Sequence, residues 1–159
     1  MSTSVHLRNG TLIDGDANPP VPAIDVLIVG DEIRRVGPTG TFDAEVPVDA
    51  TVIDATGATI MPGLIDAHCH ITFDDVQSND ELFFHRPAAT AAMITLFNLP
   101  KLLRAGVTSF MDPDTVMGIG PEIRNVVDCG AFPGPRIATG VQALLTSVGG
   151  TAGRLIPDE

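Results

Sequence analysis

The residues whose types and spacing could do chemistry are 66–70, with the sequence Asp-Ala-His-Cys-His. They follow a short apolar run that predicts a β-strand. On a strand, side chains alternate between two faces, so Asp66, His68 and His70 would point one way and Cys69 the other. Two imidazoles on one face can both reach a single ion at the ~2.0–2.1 Å typical of zinc–nitrogen bonds. The spacing therefore indicates a divalent metal site, with zinc as a suitable ion.

The position of His68 and His70 favours a metal site, but other interpretations of the pair are possible. His70 is expected just past the carboxyl end of the strand, where parallel sheets and barrels bind ligands. A chain with four histidines can also contain a His-x-His pair by chance. A further alternative is a small, complete hydrolase that uses Asp66, His68 and His70 in an unrelated α/β fold. No nucleophile elbow, P-loop or Cys-His arrangement accompanies the pair, so we rank that alternative lowest.

The second part of the chain alternates between strand and helix patterns. The predicted elements are a strand over 64–68, a helix over 87–105, a strand over 107–111, a helix over 121–129 and a strand over 136–139. Such alternation is typical of βαβ units and a parallel sheet. Pro100 predicts a kink or break in the first helix, and Gly106 is suited to end it. Asp112 could face the site, but we favour a turn that it forms with Asp114 around Pro113.

Residues 1–58 have a β-rich pattern instead. Short β-compatible runs occupy residues 4–8, 11–13, 25–29, 32–36 and 51–53. Asn9-Gly10 predicts a hairpin between the first two runs, and Gly30-Asp31 predicts a second tight turn. Strands this close in sequence are expected to pair antiparallel, because a parallel pair needs a crossover of about a dozen residues or more.

Composition restricts the class of protein. The 159 residues carry 9 Lys+Arg against 20 Asp+Glu, a net charge of −11, which disfavours nucleic-acid binding. The apolar runs are too short to span a membrane, and the first residues do not resemble a secretory signal. Cys69 and Cys129 are expected to be buried, reduced thiols in a cytoplasmic protein. A complete (β/α)₈ barrel needs about 250 residues, so the chain is too short for one.

Residues 61–70, Met-Pro-Gly-Leu-Ile-Asp-Ala-His-Cys-His, resemble the signature with which metal-dependent amidohydrolases begin their barrel. The similarity is greatest to the imidazolonepropionase and dipeptidase-like branch. Weaker matches occur in the family's order at residues 9–14, 25–30, 53–57, 102–109 and 134–137. The resemblance covers essentially the whole chain. It implies an α/β fold, a partial TIM-like (β/α)₈ barrel of about three strands (residues 59–159) after a small β-rich, composite β-sandwich domain (residues 1–58).

The same resemblance implies a chemistry. The family holds one or two divalent metals, usually zinc, and on this chain only His68 and His70 carry over as metal ligands. A metal-activated water would attack the carbon–nitrogen bond of a small-molecule substrate: a non-peptide amide, a cyclic amide or a dipeptide. The family's further ligands come from later strands, and no general base carries over. We therefore expect this chain to be an N-terminal portion that is inactive alone. The resemblance specifies neither one substrate nor one oligomeric state, and it is compatible with a homo-oligomer.

The alternative is a non-enzymatic remnant, or a module that binds a metal or a partner weakly. The other two histidines do not complete a ligand set in sequence terms. His6 lies far upstream in the β-rich segment, and His85 is isolated in the helix or loop region after the first barrel strand. An isolated histidine is more often a structural residue than a ligand.

Overall fold

The computed structural model describes residues 3–73, 78 and 86–141. Contacts within the chain divide it into two units, Met1–Pro62 and Gly63–Glu159. The chain contains both strands and helices, which confirms the predicted α/β class. His85 lies outside the described residues. Within the described ranges, no helix combines the length and apolar character that a bilayer span requires.

The first unit is built on one five-stranded sheet. Its strands are β1 (Ser4–Leu12), β2 (Val21–Val29), β3 (Glu32–Pro38), β4 (Thr51–Asp54) and β5 (Thr59–Ile60). The order is β3-β2-β1-β4, and β5 also pairs with β1. A short 3₁₀ helix covers Asp43–Glu45. The pairs β1–β2 and β2–β3 are antiparallel, whereas β4 and β5 run parallel to β1.

The hairpin predicted at Asn9-Gly10 is wrong. β1 runs through both residues, and the pairing register with β2 shifts between Leu7 and Gly10, which is the mark of a β-bulge. Asn9 has a φ of 59°, a left-handed conformation that Asn tolerates better than most residues. Its backbone N–H donates to Asp25 Oδ1 at 2.7 Å. This hydrogen bond stabilises a bulge at Asn9 in place of the expected turn.

The other turn prediction is confirmed, and the pairing prediction holds only for neighbouring strands. Gly30, with a φ of 65°, and Asp31 connect β2 to β3 as a tight hairpin. β4 and β5 pair with β1 in parallel because the long connection through β2 and β3 supplies the crossover that such pairing needs.

The second unit contains the alternating elements. They are β6 (Leu64–Asp66), α1 (Ala88–Arg104), β7 (Val107–Asp112), a 3₁₀ turn (Val116–Gly118), α2 (Gly120–Asp128) and β8 (Arg136–Thr139). The three strands form a parallel sheet in the order β6-β7-β8, as predicted. The break considered at Pro100 is absent, since α1 continues through it. β6 ends two residues before the predicted strand end.

One apolar cluster holds this unit together. It comprises Ile71, Ala91, Leu99, Phe110, Ile119, Ile123 and Ile137, and the partly buried Cys69 packs against it. Burial of a side chain such as Leu99 or Phe110 contributes about 1.5–3 kcal/mol. The cluster therefore anchors the loop after β6 to α1 and β7. Cys129 is exposed, so the expectation that both thiols are buried is wrong for that residue.

Candidate metal centre

The candidate site lies at the carboxyl ends of two neighbouring strands. His68 and His70 follow β6, while Asp112 is the last residue of β7 and Asp114 lies two residues beyond it. Because β6 and β7 are parallel neighbours, their carboxyl ends meet at one edge of the sheet. The Cys69 N–H donates to the Met111 carbonyl oxygen at 2.9 Å, which holds the histidine loop against the end of β7.

The two histidines converge on one point. Their Nε2 atoms lie 3.1 Å apart, and the rings meet edge to face at a centroid distance of 4.9 Å. Two nitrogens bound tetrahedrally to one zinc ion at ~2.0–2.1 Å would be separated by about 3.3 Å. The observed separation therefore suits two ligands of a single ion.

The local geometry that produces this convergence differs from the prediction. β6 ends at Asp66, so His68 and His70 lie in the loop rather than on the pleat of a strand. Asp66 does not join them, because its Oδ1 accepts the backbone N–H of His68 at 3.1 Å. Cys69 lies on the other side, against the apolar cluster. Burial, with the nearby Asp66 and Asp112 charges, raises the pKa of the Cys69 thiol.

The second ring nitrogen of His70 has its own partners. His70 Nδ1 lies 3.1 Å from Asp114 Oδ1 and 3.3 Å from the Asp114 carbonyl oxygen. The Phe73 ring stacks on the imidazole at 4.7 Å, nearly parallel. A proton on Nδ1 that is donated to Asp114 leaves the lone pair on Nε2, which is the tautomer a metal ligand needs. Carboxylates and carbonyls orient metal-bound histidines through such contacts, and Asp114 is placed to orient the His70 ring in the same way.

Asp112 is a buried carboxyl group beside this ring. Its side chain is inaccessible to solvent, and its Oδ1 lies 3.7 Å from His70 Nδ1. Oδ2 accepts the Ile71 N–H at 3.4 Å, whereas Oδ1 has no hydrogen-bond partner among the described residues. Burial raises the pKa of Asp112 to about 6, with the Ile71 N–H and His70 acting in the opposite direction. An unsatisfied buried oxygen of this kind is stabilised by a nearby cation.

The sequence favours a turn around Pro113 for Asp112 and Asp114, but the structure also places both carboxyl groups beside His70. The available signal was their position at the carboxyl end of the strand next to the histidine strand, where functional groups collect in such sheets.

Two donor arrangements are possible around His70. In one, the Nε2 atoms of His68 and His70 face a common ion. In the other, His70 groups with Asp112 and Asp114, whose ligand-type atoms all lie within 4.8 Å of one another. The first leaves His70 Nδ1 hydrogen-bonded to Asp114, whereas using Nδ1 as the ligand would break that bond. The imidazole nitrogens of these residues suit a borderline ion such as zinc. In the first arrangement they supply two protein ligands, whereas catalytic zinc sites usually have three.

The first unit holds a second group with ligand-type atoms: His6, Asp25 and Asp43. His6 and Asp25 are buried, with His6 Nε2 3.3 Å from Asp25 Oδ2. The Asp25 carboxylate is already occupied, because it accepts the N–H groups of Asn9 and Gly40 and the Thr39 hydroxyl. We therefore regard this group as a structural hydrogen-bond centre.

A family model matches the part of the chain that contains the candidate site. Residues 59–144, more than half of the chain, match the model of the amidohydrolase family. The enamidase of Eubacterium barkeri is 37% identical over 76 residues, which are 47% of this chain and 19% of the enamidase. The imidazolonepropionase of Anaeromyxobacter dehalogenans is 36% identical over 77 residues, 45% of this chain and 18% of that enzyme.

A solved structure extends the similarity over most of the chain. The structure of molinate hydrolase superposes with a TM-score of 0.74 at 28% identity, covering 87% of this chain and 30% of that one. The chain thus spans about a fifth of the curated relatives and under a third of the solved enzyme. The matched residues include the Pro-Gly-Leu-Ile-Asp-Ala-His-Cys-His segment and β6 to β8. The chain belongs to the amidohydrolase family.

Proposed function

We propose that this chain contributes the first two metal ligands, His68 and His70, to a hydrolase that breaks carbon–nitrogen bonds. The observation that carries the proposal is the 3.1 Å separation of the two Nε2 atoms at the carboxyl end of β6. A bound divalent ion, zinc in this proposal, would lower the pKa of a water molecule to about 7 and polarise the scissile carbonyl.

The chain's own residues have defined roles in this proposal. Asp114 accepts the His70 Nδ1–H and thereby keeps Nε2 free to bind. Asp112 places a buried negative charge beside the same ring, which favours a cation at the site. The Phe73 ring covers one face of the His70 imidazole and limits its rotation.

The proposed architecture is a partial (β/α)₈ barrel, residues 59–159, after a small β-rich domain of the composite β-sandwich type, residues 1–58. Three parallel strands in sequential order with two intervening helices support it. In barrels of this kind the reacting groups lie at the carboxyl ends of the strands. His68, His70 and Asp112 occupy that position.

The relatives support the substrate class that we propose. Among the matched proteins are an enamidase, dihydroorotases, imidazolonepropionases and prolidases. We propose a small molecule with an amide, cyclic amide or dipeptide bond, handled by a cytoplasmic enzyme. Because the chain spans only a fraction of these proteins, we propose that it is inactive alone and that turnover needs the remaining barrel strands.

The test compares two lengths of the same protein. The 159-residue chain and a version extended by any open reading frame beyond Glu159 are assayed with zinc on dihydroorotate, an imidazolone and an Xaa-Pro dipeptide. We expect turnover by the extended chain alone, with loss of more than about 100-fold in His70→Ala. Metal-dependent turnover by the short chain would refute the inactivity, and an extended chain indifferent to His70→Ala would refute the assigned site.

A further inference from the structure

Asn98 on α1 hydrogen-bonds to the loop that follows His70, in addition to the packing of Ile71 in the apolar cluster. Its Nδ2 donates to the carbonyl oxygens of Ile71 at 3.0 Å and Phe73 at 3.2 Å. Its Oδ1 accepts a hydrogen bond from Lys101 Nζ at 2.7 Å. Both amide donors and the acceptor are thus engaged, which fixes the orientation of the amide group.

Ile71 and Phe73, whose carbonyls Asn98 binds, both belong to the turn that carries the ring stacked on His70. The Phe73 N–H donates to the His70 carbonyl oxygen at 3.3 Å, so residues 70–73 form a closed turn. The Phe73 ring then lies 4.7 Å from the His70 ring at an interplanar angle of 11°. A displacement of the Phe73 backbone would therefore displace the surface against which the imidazole rests.

Neighbouring contacts also support the same loop. Arg86 donates to the Thr72 carbonyl oxygen at 3.2 Å, and the Ile71 side chain is buried in the apolar cluster. Asn is a poorer helix former than Ala, and a half-buried Asn inside a 17-residue helix is best explained by the bonds that its amide makes.

We propose that Asn98 is a positioning residue for metal binding: by clamping the Ile71 and Phe73 carbonyls, it sets the His70 imidazole so that Nε2 meets Nε2 of His68. The inference rests on the proposed function, since it assumes a metal at these two histidines. Asn98 itself touches neither nitrogen and acts through the turn and the stacked ring. Residues of this kind beside metal sites commonly alter affinity by about 10–100-fold.

Two substitutions separate hydrogen bonding from packing. Asn98→Ala removes the clamp and favours the helix, so α1 should still form. Asn98→Asp keeps the shape and the acceptor for Lys101 but loses both donors to the loop. We expect each to weaken zinc affinity about 10–100-fold relative to the unmodified chain. The exposed Asn125→Ala on α2 is the matched control and should leave the affinity unchanged.

A second measurement tests positioning without metal. In the metal-free chain, NMR contacts between the His70 and Phe73 rings should be present with Asn98 and strongly reduced in both variants. Ring contacts that survive in Asn98→Ala and Asn98→Asp would overturn the inference, as would zinc affinities of both variants within threefold of the unmodified chain. Zinc affinity of the unmodified chain that is insensitive to His70→Ala would instead overturn the proposed function, while the metal-free contacts still decide the role of Asn98.

Discussion

His70 Nδ1 lies 3.1 Å from Asp114 Oδ1, although the two residues are 44 positions apart in the sequence. This contact joins the loop after β6 to the loop after β7 and leaves His70 Nε2 directed at His68. The parallel pairing of β6 with β7 creates it, because that pairing brings their carboxyl ends together. The orientation of the His70 imidazole thus depends on the neighbouring strand.

Replacing Asp114 should weaken metal binding. Asp114→Ala removes the carboxylate that accepts the Nδ1–H, while the residue's carbonyl oxygen remains 3.3 Å away as a partial substitute. We expect zinc affinity to fall by about tenfold, at the lower end of the usual effect of such orienting groups. Titration with a competing chelator measures this. Asp128→Ala removes an exposed carboxylate at the end of α2 and should have no effect; an equal loss there would point to net charge as the cause.

Asp25 should control the acid stability of the first unit. Burial raises its pKa, but the N–H groups of Asn9 and Gly40, the Thr39 hydroxyl and His6 more than offset this and hold the pKa below 3.8. A depressed carboxyl pKa gives stability that is fully present above about pH 4 and is lost as the pH falls through the folded value. Asp25→Asn should lower the free energy of unfolding by about 3 kcal/mol near neutral pH and flatten its acid dependence.

Urea unfolding between pH 2.5 and 7, followed by a signal from the first unit, checks that prediction. The matched variant is Asp49→Asn, which replaces an exposed carboxylate of the same unit. If Asp25→Asn and Asp49→Asn gave the same pH profile, the role assigned to the buried carboxylate would be wrong.

Gly63, in the Pro-Gly pair before β6, is required by close packing against β7. A Cβ added there would overlap the side chain of Thr108. Gly63→Ala should therefore destabilise the second unit by about 1–3 kcal/mol, the usual cost of overpacking. Thr108→Gly should relieve the overlap, so a double-mutant cycle should show favourable coupling between the two changes. Simple additivity of the two unfolding free energies would contradict this explanation.

The two thiols should react at different rates. Cys129 is exposed, whereas Cys69 is partly buried and its pKa is raised by burial and by Asp66 and Asp112. Since the thiolate is the reactive species, we expect Cys129 to react with a disulfide reagent at pH 7.5 at least about tenfold faster. Single variants Cys69→Ala and Cys129→Ala assign the two phases. Equal rates would mean that the loop between the histidines opens far more than its contacts indicate.

Much of the second unit could be predicted from sequence because its signals are local. The helix pattern of 87–105, the glycine at 106 and the β8 run were each visible in the sequence, and the structure gives α1, a Gly106 φ of 84° and β8 at Arg136–Thr139. The Asn9-Gly10 error has the opposite cause. The acceptor that turns this pair into a bulge is Asp25, sixteen residues away, and no local pattern reveals it.

In the candidate site, the proximity of the two histidines could be predicted from the sequence. His68 and His70 follow from type and spacing, since a two-residue separation suffices to bring both rings together in either a strand or the observed loop. Asp112, Asp114 and Asn98 were harder to identify, because their contacts with the histidine loop span 25 to 44 residues of sequence. Strand pairing and helix packing create those contacts.

X-ray absorption at the zinc edge, on the chain loaded with one equivalent of zinc, tests the central claim most directly. We predict two imidazole nitrogens at about 2.0–2.1 Å. One should remain in His68→Ala or His70→Ala, and both should remain in Cys129→Ala. A zinc environment that is unchanged by His70→Ala, or that is dominated by sulfur, would contradict the assignment of His68 and His70 as the ligands.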